Sequence, residues 1–274
     1  MSTPASSHDS PEVEEDHEDT PRRAEAPGRW LRFGRFLREV FLVAFIALLT
    51  SAVVRAYVGQ VFVIPSESMT DTVHVKDRLV GMKFKDAQRG DIIVFEDPGG
   101  WLNEAPPQPT GWRKTLQPLG RGAELVGLRP SSSTHHLLKR LIGMPGDVVE
   151  CCDNQGRLMV NGQPLDEPYL REGLPAASVP FKVVVPEGRV FVMGDNRNAS
   201  RDSRCHLATI TNDGEPRGMR AFVPLENVVG PAELRIAPLD RFGRMTRPDT
   251  FALVPAPKEP APKKPVIEPA GVSC

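Results

Sequence analysis

The sequence predicts a mainly β protein preceded by a single N-terminal transmembrane helix. The first observation is an uncharged apolar run over residues 40–54, VFLVAFIALLTSAVV. The second is a change, after Met69, to short apolar runs that are separated by turn residues and show no long helical periodicity. The third is the crowding of proline and charged residues toward both ends, which is typical of segments outside a folded core.

The apolar run is short for a membrane span, because a helix needs about 20 apolar residues to cross the hydrocarbon core. With its flanks included, the predicted transmembrane helix covers residues 36–58, and Arg38, Glu39 and Arg55 then reach toward the lipid head groups. Arginines are concentrated before the run, at positions 22, 23, 29, 32, 35 and 38. The positive-inside rule therefore predicts a cytoplasmic segment at residues 1–35 and an extracytoplasmic location for the rest of the chain. Residues 1–35 are polar and largely acidic at their start, so we expect them to be disordered.

Two other interpretations of the apolar run remain open. A cleaved secretory signal is one, since Val54-Arg55-Ala56 offers small residues at a suitable spacing. The long acidic extension before the run, and an arginine in the cleavage region, argue against it. The other is a buried helix of a soluble protein. The run is apolar on all sides and has cationic flanks, which argues against this interpretation.

The predicted strands follow the apolar run. They comprise residues 79–84, 91–95, 136–142, 148–151, 158–160, 182–185, 190–193 and 228–236. Asn161-Gly162 predicts a two-residue hairpin, because both residue types accept positive φ. We expect an extracytoplasmic β domain over residues 59–240, with a surface insertion rich in Gly, Pro and Trp at residues 96–133. Residues 241–274 are predicted to form a Pro-rich disordered tail.

Composition limits the partners and cofactors. The formal net charge is -1, and the central region has no basic stripe, which argues against nucleic acid as a partner. The six histidines show no metal-ligand spacing, so we expect no metal. The four cysteines would lie in an oxidising compartment, where three full pairings are possible. Because adjacent strand residues point to opposite faces, only one of Cys151 and Cys152 is expected in a bridge, with Cys205 as its partner; Cys274 has no assigned role.

Ser66 and Ser68 are the first candidates for chemistry. On an extended backbone their side chains point the same way, and a serine becomes a good nucleophile once a base takes its proton. Lys139 is the preferred base, because burial among the aliphatic residues of LLKRLI lowers the pKa of an amine. The alternatives are that Lys139 simply projects from an exposed strand face, or that His135 or His136 is the base.

A second candidate segment, residues 194–204, is dense in hydrogen-bonding groups. Asp202 can form a bidentate pair with Arg197 or Arg204, which would make this loop rigid. A calcium loop is the alternative interpretation, but arginines interspersed among the acids oppose a cation.

Four motifs occur in the chain in a fixed order. They are Ser66-x-Ser68-Met69, Arg89-Gly90-Asp91-Ile92-Ile93-Val94-Phe95, Lys139-Arg140-x-x-Gly143-x-Pro145-Gly146-Asp147 and Gly194-Asp195-Asn196-Arg197-x-x-Ser200-x-Asp202-Ser203-Arg204. In these motifs, and over residues 36–236, the sequence resembles the bacterial type I signal peptidases. The insertion at residues 96–133 and the step Cys151-Cys152-Asp153 resemble actinobacterial members in particular.

The resemblance implies antiparallel β-sheets and a membrane-anchored serine endopeptidase with a Ser/Lys dyad. Ser68 would be the nucleophile and Lys139 the general base, while the Ser66 hydroxyl and the Ser68 N–H would form the oxyanion hole. It further implies that Ser200 orients the lysine. Asp202 and Arg204 would brace the loop that contains them.

The implied reaction is cleavage of N-terminal signal peptides from secreted preproteins, after small residues, through an acyl-enzyme. The partners would be the preproteins and the lipid bilayer, without nucleic acid or a cofactor, and we expect a monomer.

The chain departs from the family pattern at Glu67, where many members have glycine, and at Thr70-Asp71-Thr72, which replaces a proline-containing sequence. The alternatives are a specialised relative, such as a pilin-type peptidase or a self-cleaving repressor, and a catalytically inactive surface scaffold. The repressor does not explain the membrane span, and the sequence shows no DNA-binding motif.

Overall fold

The computed structural model describes residues 29–57, 59–102, 136–211 and 214–269. The predictions for residues 1–28, for most of the insertion and for Cys274 therefore lie outside the described residues. His135, one of the alternative bases, lies outside them as well.

The chain begins, within these residues, with helix α1 (Arg29–Tyr57). Among the described residues this is the one helix long and apolar enough to cross a membrane, over Arg32–Val54, judged by length and composition. Its apolar side chains are exposed along the middle of the helix. The helix starts several residues before the predicted position 36, so the helical geometry includes arginines that the sequence pattern assigned to the preceding segment.

The remaining described residues form antiparallel sheets, which confirms the predicted fold class. The strands are β1 (Gly59–Val63), β2 (Arg78–Met82), β3 (Ile92–Glu96), β4 (His136–Gly143), β5 (Val148–Cys151), β6 (Leu158–Val160), β7 (Gln163–Pro164), β8 (Phe181–Val184), β9 (Arg189–Met193), β10 (Val223–Pro224), β11 (Val228–Ala237), β12 (Gly243–Arg244) and β13 (Val266–Glu268). An eight-stranded sheet has the order β1-β2-β11-β3-β4-β9-β10, with β12 beside β11. A five-stranded sheet has the order β13-β8-β5-β6-β7.

The predicted hairpin at Asn161-Gly162 is confirmed. The two residues have φ values of 54° and 81°, and they connect β6 to β7 with Val160 opposite Gln163. The Asn161 side chain also accepts a hydrogen bond from the Val148 amide (2.8 Å). The turn is thus fixed both by its backbone conformation and by a contact to β5.

The C-terminal tail differs from the expectation of disorder over residues 241–274, because its described part packs on the β domain. Phe251 is 4% exposed, Val254 is buried, and strand β13 pairs with β8. Proline carbonyls accept hydrogen bonds from the domain: Asn161 Nδ2 donates to Pro255 O (2.8 Å) and the Glu187 amide donates to Pro262 O (2.9 Å). Composition alone predicted a solvated tail, whereas a few apolar side chains between the prolines are enough to dock it. We call residues 245–269 the strap.

The cysteine pairing also differs from the expectation. Cys151 and Cys152 form a disulfide with each other, across a cis peptide bond, and Cys205 does not pair with either. None of the three cysteines in the described residues is free. The expectation failed because strand β5 ends at Cys151, so the alternation of side chains between faces does not extend to Cys152.

Candidate active site

The turn that contains Ser68 directly follows strand β1 and is anchored in the core. Met69 is 1% exposed and Val73 is fully buried, and both belong to a hydrophobic cluster with Phe62 and Leu79. The Ser68 carbonyl accepts a hydrogen bond from the Asn196 amide (3.0 Å). Ser68 itself is buried, so its hydroxyl is held by its surroundings rather than free to rotate into solvent.

Lys139 lies in the middle of strand β4 and meets Ser68. Its side chain is almost fully buried, and Lys139 Nζ is hydrogen-bonded to Ser68 Oγ. Burial lowers the pKa of Lys139 from 10.5 to about 8; the carboxylates of Asp202 and Asp195 act in the opposite direction, and Arg204 acts to lower it further. An amine in this state can exchange a proton with the serine hydroxyl near neutral pH.

Ser66 stands beside this pair at the edge of the site. Its Oγ lies 3.3 Å from Ser68 Oγ, and the residue is exposed. Within the described residues the Ser68 amide has no hydrogen-bond acceptor. A hydroxyl and a backbone N–H are thus both available to a group that approaches Ser68 from solvent.

The loop after strand β9 closes the other side of the pair. Ser200 is buried against Gly194; its Oγ has no hydrogen-bond partner among the described residues, although it lies close enough to Asp202 to help lower the pKa of that carboxyl. The structure therefore brings Ser200 into the site, but it contains no direct hydrogen bond from Ser200 to Lys139.

Asp202 is paired with Arg204, one of the two partners left open by the sequence. Arg204 Nε and Nη2 donate to the two Asp202 oxygens (2.9 and 2.8 Å), and the Gly194 amide donates to Asp202 Oδ2 (2.9 Å). Burial alone would raise the pKa of Asp202, but the charge and hydrogen bonds of Arg204 outweigh it and lower the pKa. The carboxylate is therefore fixed and charged beside Lys139.

Sequence reasoning missed the second buried ion pair of the site. Arg140 Nε and Nη2 donate to Asp195 (2.9 and 2.6 Å), and Thr72 Oγ1 donates to Asp195 Oδ2 (2.5 Å). Both charged side chains of the pair are 2% exposed or less. The sequence contained a signal for this pair. Lys139 and Arg140 are adjacent in a strand predicted to be buried, and an arginine stays charged, so a buried Arg140 requires a carboxylate partner.

Arg197, the other candidate partner of Asp202, is paired elsewhere. It pairs with Glu167 (2.5 Å) and donates to the Ala176 carbonyl (2.6 Å), which attaches the residue 166–176 segment to the loop after β9. Tyr169, in the same segment, lies over Arg140, with the guanidinium carbon 3.8 Å from the ring centre. No sequence pattern indicated that this segment belongs to the site.

An apolar cleft of about 250 Å³ opens next to Ser66. It is lined by residues of β1 and the following turn and by the start of β4, together with Val94 and Leu102. His136 is part of this lining; its ring lies 5.2 Å from that of Phe62 and its Nε2 lies 4.0 Å from Glu96 Oε1. The hydrogen bonds of Ser68 Oγ within the described residues go to Ser66 and Lys139, not to a histidine.

A family model described as "Signal peptidase, peptidase S26" matches residues 37–237. The chain belongs to this signal peptidase family. It is accordingly a serine peptidase of the signal peptidase I type, a hydrolase. The match covers the apolar helix from residue 37 and all four sequence motifs.

Curated signal peptidases of several bacteria are similar to the chain. Signal peptidase I of Mycobacterium tuberculosis (strain CDC 1551 / Oshkosh) is 36% identical over 225 residues, which cover 76% of this chain and 74% of the relative. The probable signal peptidase I-1 of Synechocystis sp. (strain ATCC 27184 / PCC 6803 / Kazusa) is 33% identical over 234 residues, which cover 84% of this chain and 94% of the relative. The mycobacterial similarity agrees with the actinobacterial features of the sequence.

Among solved structures, a signal peptidase I from Enterococcus faecalis V583 is 26% identical in sequence. The alignment covers 54% of this chain and 97% of that chain, with a TM-score of 0.32.

Proposed function

We propose that this signal peptidase is a membrane-anchored serine endopeptidase that removes N-terminal signal peptides from secreted preproteins, with Ser68 as nucleophile and Lys139 as general base. The observation on which the proposal depends is the hydrogen bond between Lys139 Nζ and Ser68 Oγ in a site where burial lowers the lysine pKa to about 8. The names of the relatives, all signal peptidases, support the substrate class.

The reaction begins when neutral Lys139 takes the proton of Ser68 Oγ. The oxygen then attacks the scissile carbonyl, and the C=O bond becomes a C–O⁻ bond of a tetrahedral intermediate. Lys139 returns the proton to the leaving amine as the C–N bond breaks, which leaves an ester on Ser68. A water molecule, deprotonated by Lys139, hydrolyses this ester and regenerates both residues.

Ser66 Oγ and the Ser68 amide would donate to the oxyanion. Ser66 Oγ is 3.3 Å from the attacking oxygen, and the Ser68 amide has no competing acceptor in the described part of the chain. Donors fixed before the reaction stabilise the developing charge without reorganising.

The cleft beside Ser66 would hold the residues before the scissile bond. Its lining is mostly apolar and its volume is about 250 Å³, so small side chains fit without displacing packed atoms. This agrees with the small-residue preference that the family resemblance implies.

Helix α1 would anchor the enzyme, because its span Arg32–Val54 is long and apolar enough to cross a membrane. Tethering confines enzyme and membrane-inserted signal peptide to one surface and raises their effective concentration.

Arginines before the span favour a cytoplasmic N-terminus and an external catalytic domain. External protease added to intact cells tests the orientation: the β domain should be digested and the N-terminal segment protected, whereas the reverse pattern contradicts it.

A single assay tests the reaction itself. The purified full chain is incubated with a secretory precursor, and the new N-terminus is sequenced, with Ser68→Ala as the control. We expect one cut after a small residue in the wild-type reaction and none with the variant. An uncleaved precursor would favour the inactive scaffold, although a buried lysine bonded to a serine has no evident purpose in a scaffold.

A further inference from the structure

We propose that residues 247–251 of the strap form a positioning element for the candidate dyad, acting through the groups that surround Arg140. This inference rests on the Ser68–Lys139 dyad of the proposed function. It gives the C-terminal strap a role in the reaction.

Arg140 is enclosed on three sides. Its Nη1 donates to the Gly90 carbonyl (2.7 Å), its Nε and Nη2 donate to Asp195, and its guanidinium carbon lies 3.8 Å from the centre of the Tyr169 ring. Arg140 is 1% exposed, so these groups replace water completely. We call Gly90, Asp195 and Tyr169 the Arg140 cage.

The strap packs directly on the first wall of the cage. A Cβ at Gly90 would lie 2.5 Å from the Phe251 ring and 2.7 Å from Arg247 Cγ, so these side chains lie against the Gly90 backbone. Arg247 Nε also donates to Asp91 Oδ1 (3.0 Å). Phe251 and Arg247 therefore help to hold the Gly90–Asp91 peptide, whose carbonyl binds Arg140, together with the hydrogen bond from the Gly90 amide to the Leu141 carbonyl (2.7 Å).

The strap also holds the segment that supplies Tyr169. Thr250 Oγ1 accepts a hydrogen bond from the Asp166 amide (3.0 Å), three residues before Tyr169. Tyr169 in turn donates to Glu167 Oε1 (2.5 Å). Three of the five residues 247–251, namely Arg247, Thr250 and Phe251, thus contact the two segments that provide two of the three cage walls.

The cage is continuous with the dyad. Arg140 directly follows Lys139, and Asp195, the third wall, precedes Asn196, whose amide donates to the Ser68 carbonyl (3.0 Å). The charged groups that act on Lys139 are Asp202, Asp195 and Arg204, and burial is the dominant influence. A loosened cage would neutralise Asp195 less completely and admit water, and both changes raise the Lys139 pKa.

The test compares full-length Arg247→Ala and Phe251→Ala with wild type in precursor cleavage between about pH 6 and about pH 10. We expect a lower kcat with an unchanged KM. We also expect the acid limb of the kcat–pH profile to shift to higher pH by about half a unit, so that kcat at pH values below the limb is about threefold lower than in wild type. Arg247→Lys and Phe251→Leu keep the charge and the apolar contact, and should restore most of the wild-type profile.

Ile267→Ala is the matched control, because Ile267 belongs to the same strap and packs on the same hydrophobic cluster but lies against Gly218. It should lower the melting temperature without moving the acid limb. If Phe251→Ala does not fold, Arg247→Ala decides, since its side chain is 34% exposed. A wild-type kcat profile for Arg247→Ala, or an equal shift in Ile267→Ala, would overturn the positioning role.

The two proposals fail in different ways. Activity retained by Ser68→Ala or Lys139→Arg contradicts the dyad itself, and with it the proposed function. If both of those variants are inactive while the strap variants behave like Ile267→Ala, the dyad stands and only the strap inference is wrong.

Discussion

The α-carbon of Gly194 lies against the main chain of Ser68, so that a Cβ at Gly194 would stand 2.5 Å from the Ser68 carbonyl oxygen. The same Cβ would also overlap the Ser200 side chain. The loop after β9 and the turn after β1 therefore meet backbone to backbone. This close approach brings Asn196 within hydrogen-bonding distance of Ser68 and requires glycine at position 194.

We predict that Gly194→Ala lowers kcat at least tenfold, because the added methyl must push the Ser68 turn or Ser200 out of place. A displacement of about 1 Å can cost about a hundredfold in rate. Gly243→Ala is the control, since a Cβ there meets nothing within 4 Å. It should match wild type in precursor cleavage; equal activity of both variants would contradict the close-contact argument.

We predict that Lys139→Arg is as inactive as Ser68→Ala. An arginine keeps the positive charge but does not deprotonate in a protein, so no base is left for Ser68. In the wild-type enzyme the neutral amine is required, so activity should rise with pH through about 8, the lowered pKa of Lys139. Comparable activity of Lys139→Arg at any pH would exclude the dyad and favour His135 or His136 as the base.

The same pKa predicts an effect on stability. The folded chain binds the Lys139 proton only below about pH 8, whereas the unfolded chain binds it up to about 10.5. The resulting destabilisation is complete below pH 8, amounts to about 3 kcal/mol, and disappears as the pH rises toward the unfolded value.

Lys139→Met should therefore be inactive but melt at a higher temperature than wild type at neutral pH, with a difference that shrinks as the pH is raised. Lys83→Met removes an exposed lysine and should show no such pH-dependent difference. Thermal unfolding followed at several pH values measures both variants. A Lys139→Met variant that melts below wild type at pH 7 would contradict a desolvated lysine.

The sequence was informative where local chemistry determines the structure. Alternating apolar residues located most long strands, and Asn161-Gly162 located a hairpin, since positive φ is a local requirement. Ser68 and Lys139, 71 positions apart, were proposed as nucleophile and base from residue type and local pattern, and the family resemblance supported the pair; spacing along the chain does not report distance in a sheet. The hydrogen bond between them is a property of the tertiary fold.

What the sequence did not predict depends on contacts between distant segments. The strap has the composition of a disordered tail, and its order follows from Phe251 and its neighbours finding a place in a core formed elsewhere. The choice of Arg204 for Asp202 and of Glu167 for Arg197 likewise depends on a loop geometry that no pairwise pattern encodes.

We predict that Ser66→Ala lowers kcat about a hundred- to a thousandfold with little change in KM, because the oxyanion exists only in the transition state. Ser66→Thr retains the hydroxyl and should keep much more of the activity. Steady-state cleavage of a precursor peptide separates kcat from KM. A Ser66→Ala enzyme with the wild-type kcat would remove this hydroxyl from the oxyanion hole.

The last prediction concerns the cleft beside Ser66, in which packed side chains limit what a substrate can insert. Val94 and Leu138 line it, and both are buried, at 2% and 8% exposure. A substrate side chain that exceeds the space left between these walls must displace such atoms, and overpacking of this kind typically costs about 1–3 kcal/mol, or roughly five- to 150-fold in rate. Wild type should therefore cleave precursors with alanine one and three residues before the cut far faster than those with phenylalanine.

Val94→Ala should relax this discrimination, because it removes two methyl groups from the cleft wall and leaves Ser66, Ser68 and Lys139 in place. We expect the ratio of kcat/KM for alanine over a larger aliphatic residue, at one of the two positions, to fall several-fold. Val80→Ala, on strand β2 of the same sheet and outside the cleft lining, is the control and should leave that ratio unchanged. Competition between the two precursors in one reaction measures the ratio directly and is insensitive to the fraction of active enzyme. Equal ratios for wild type, Val94→Ala and Val80→Ala would show that side chains before the scissile bond are selected elsewhere than in this cleft.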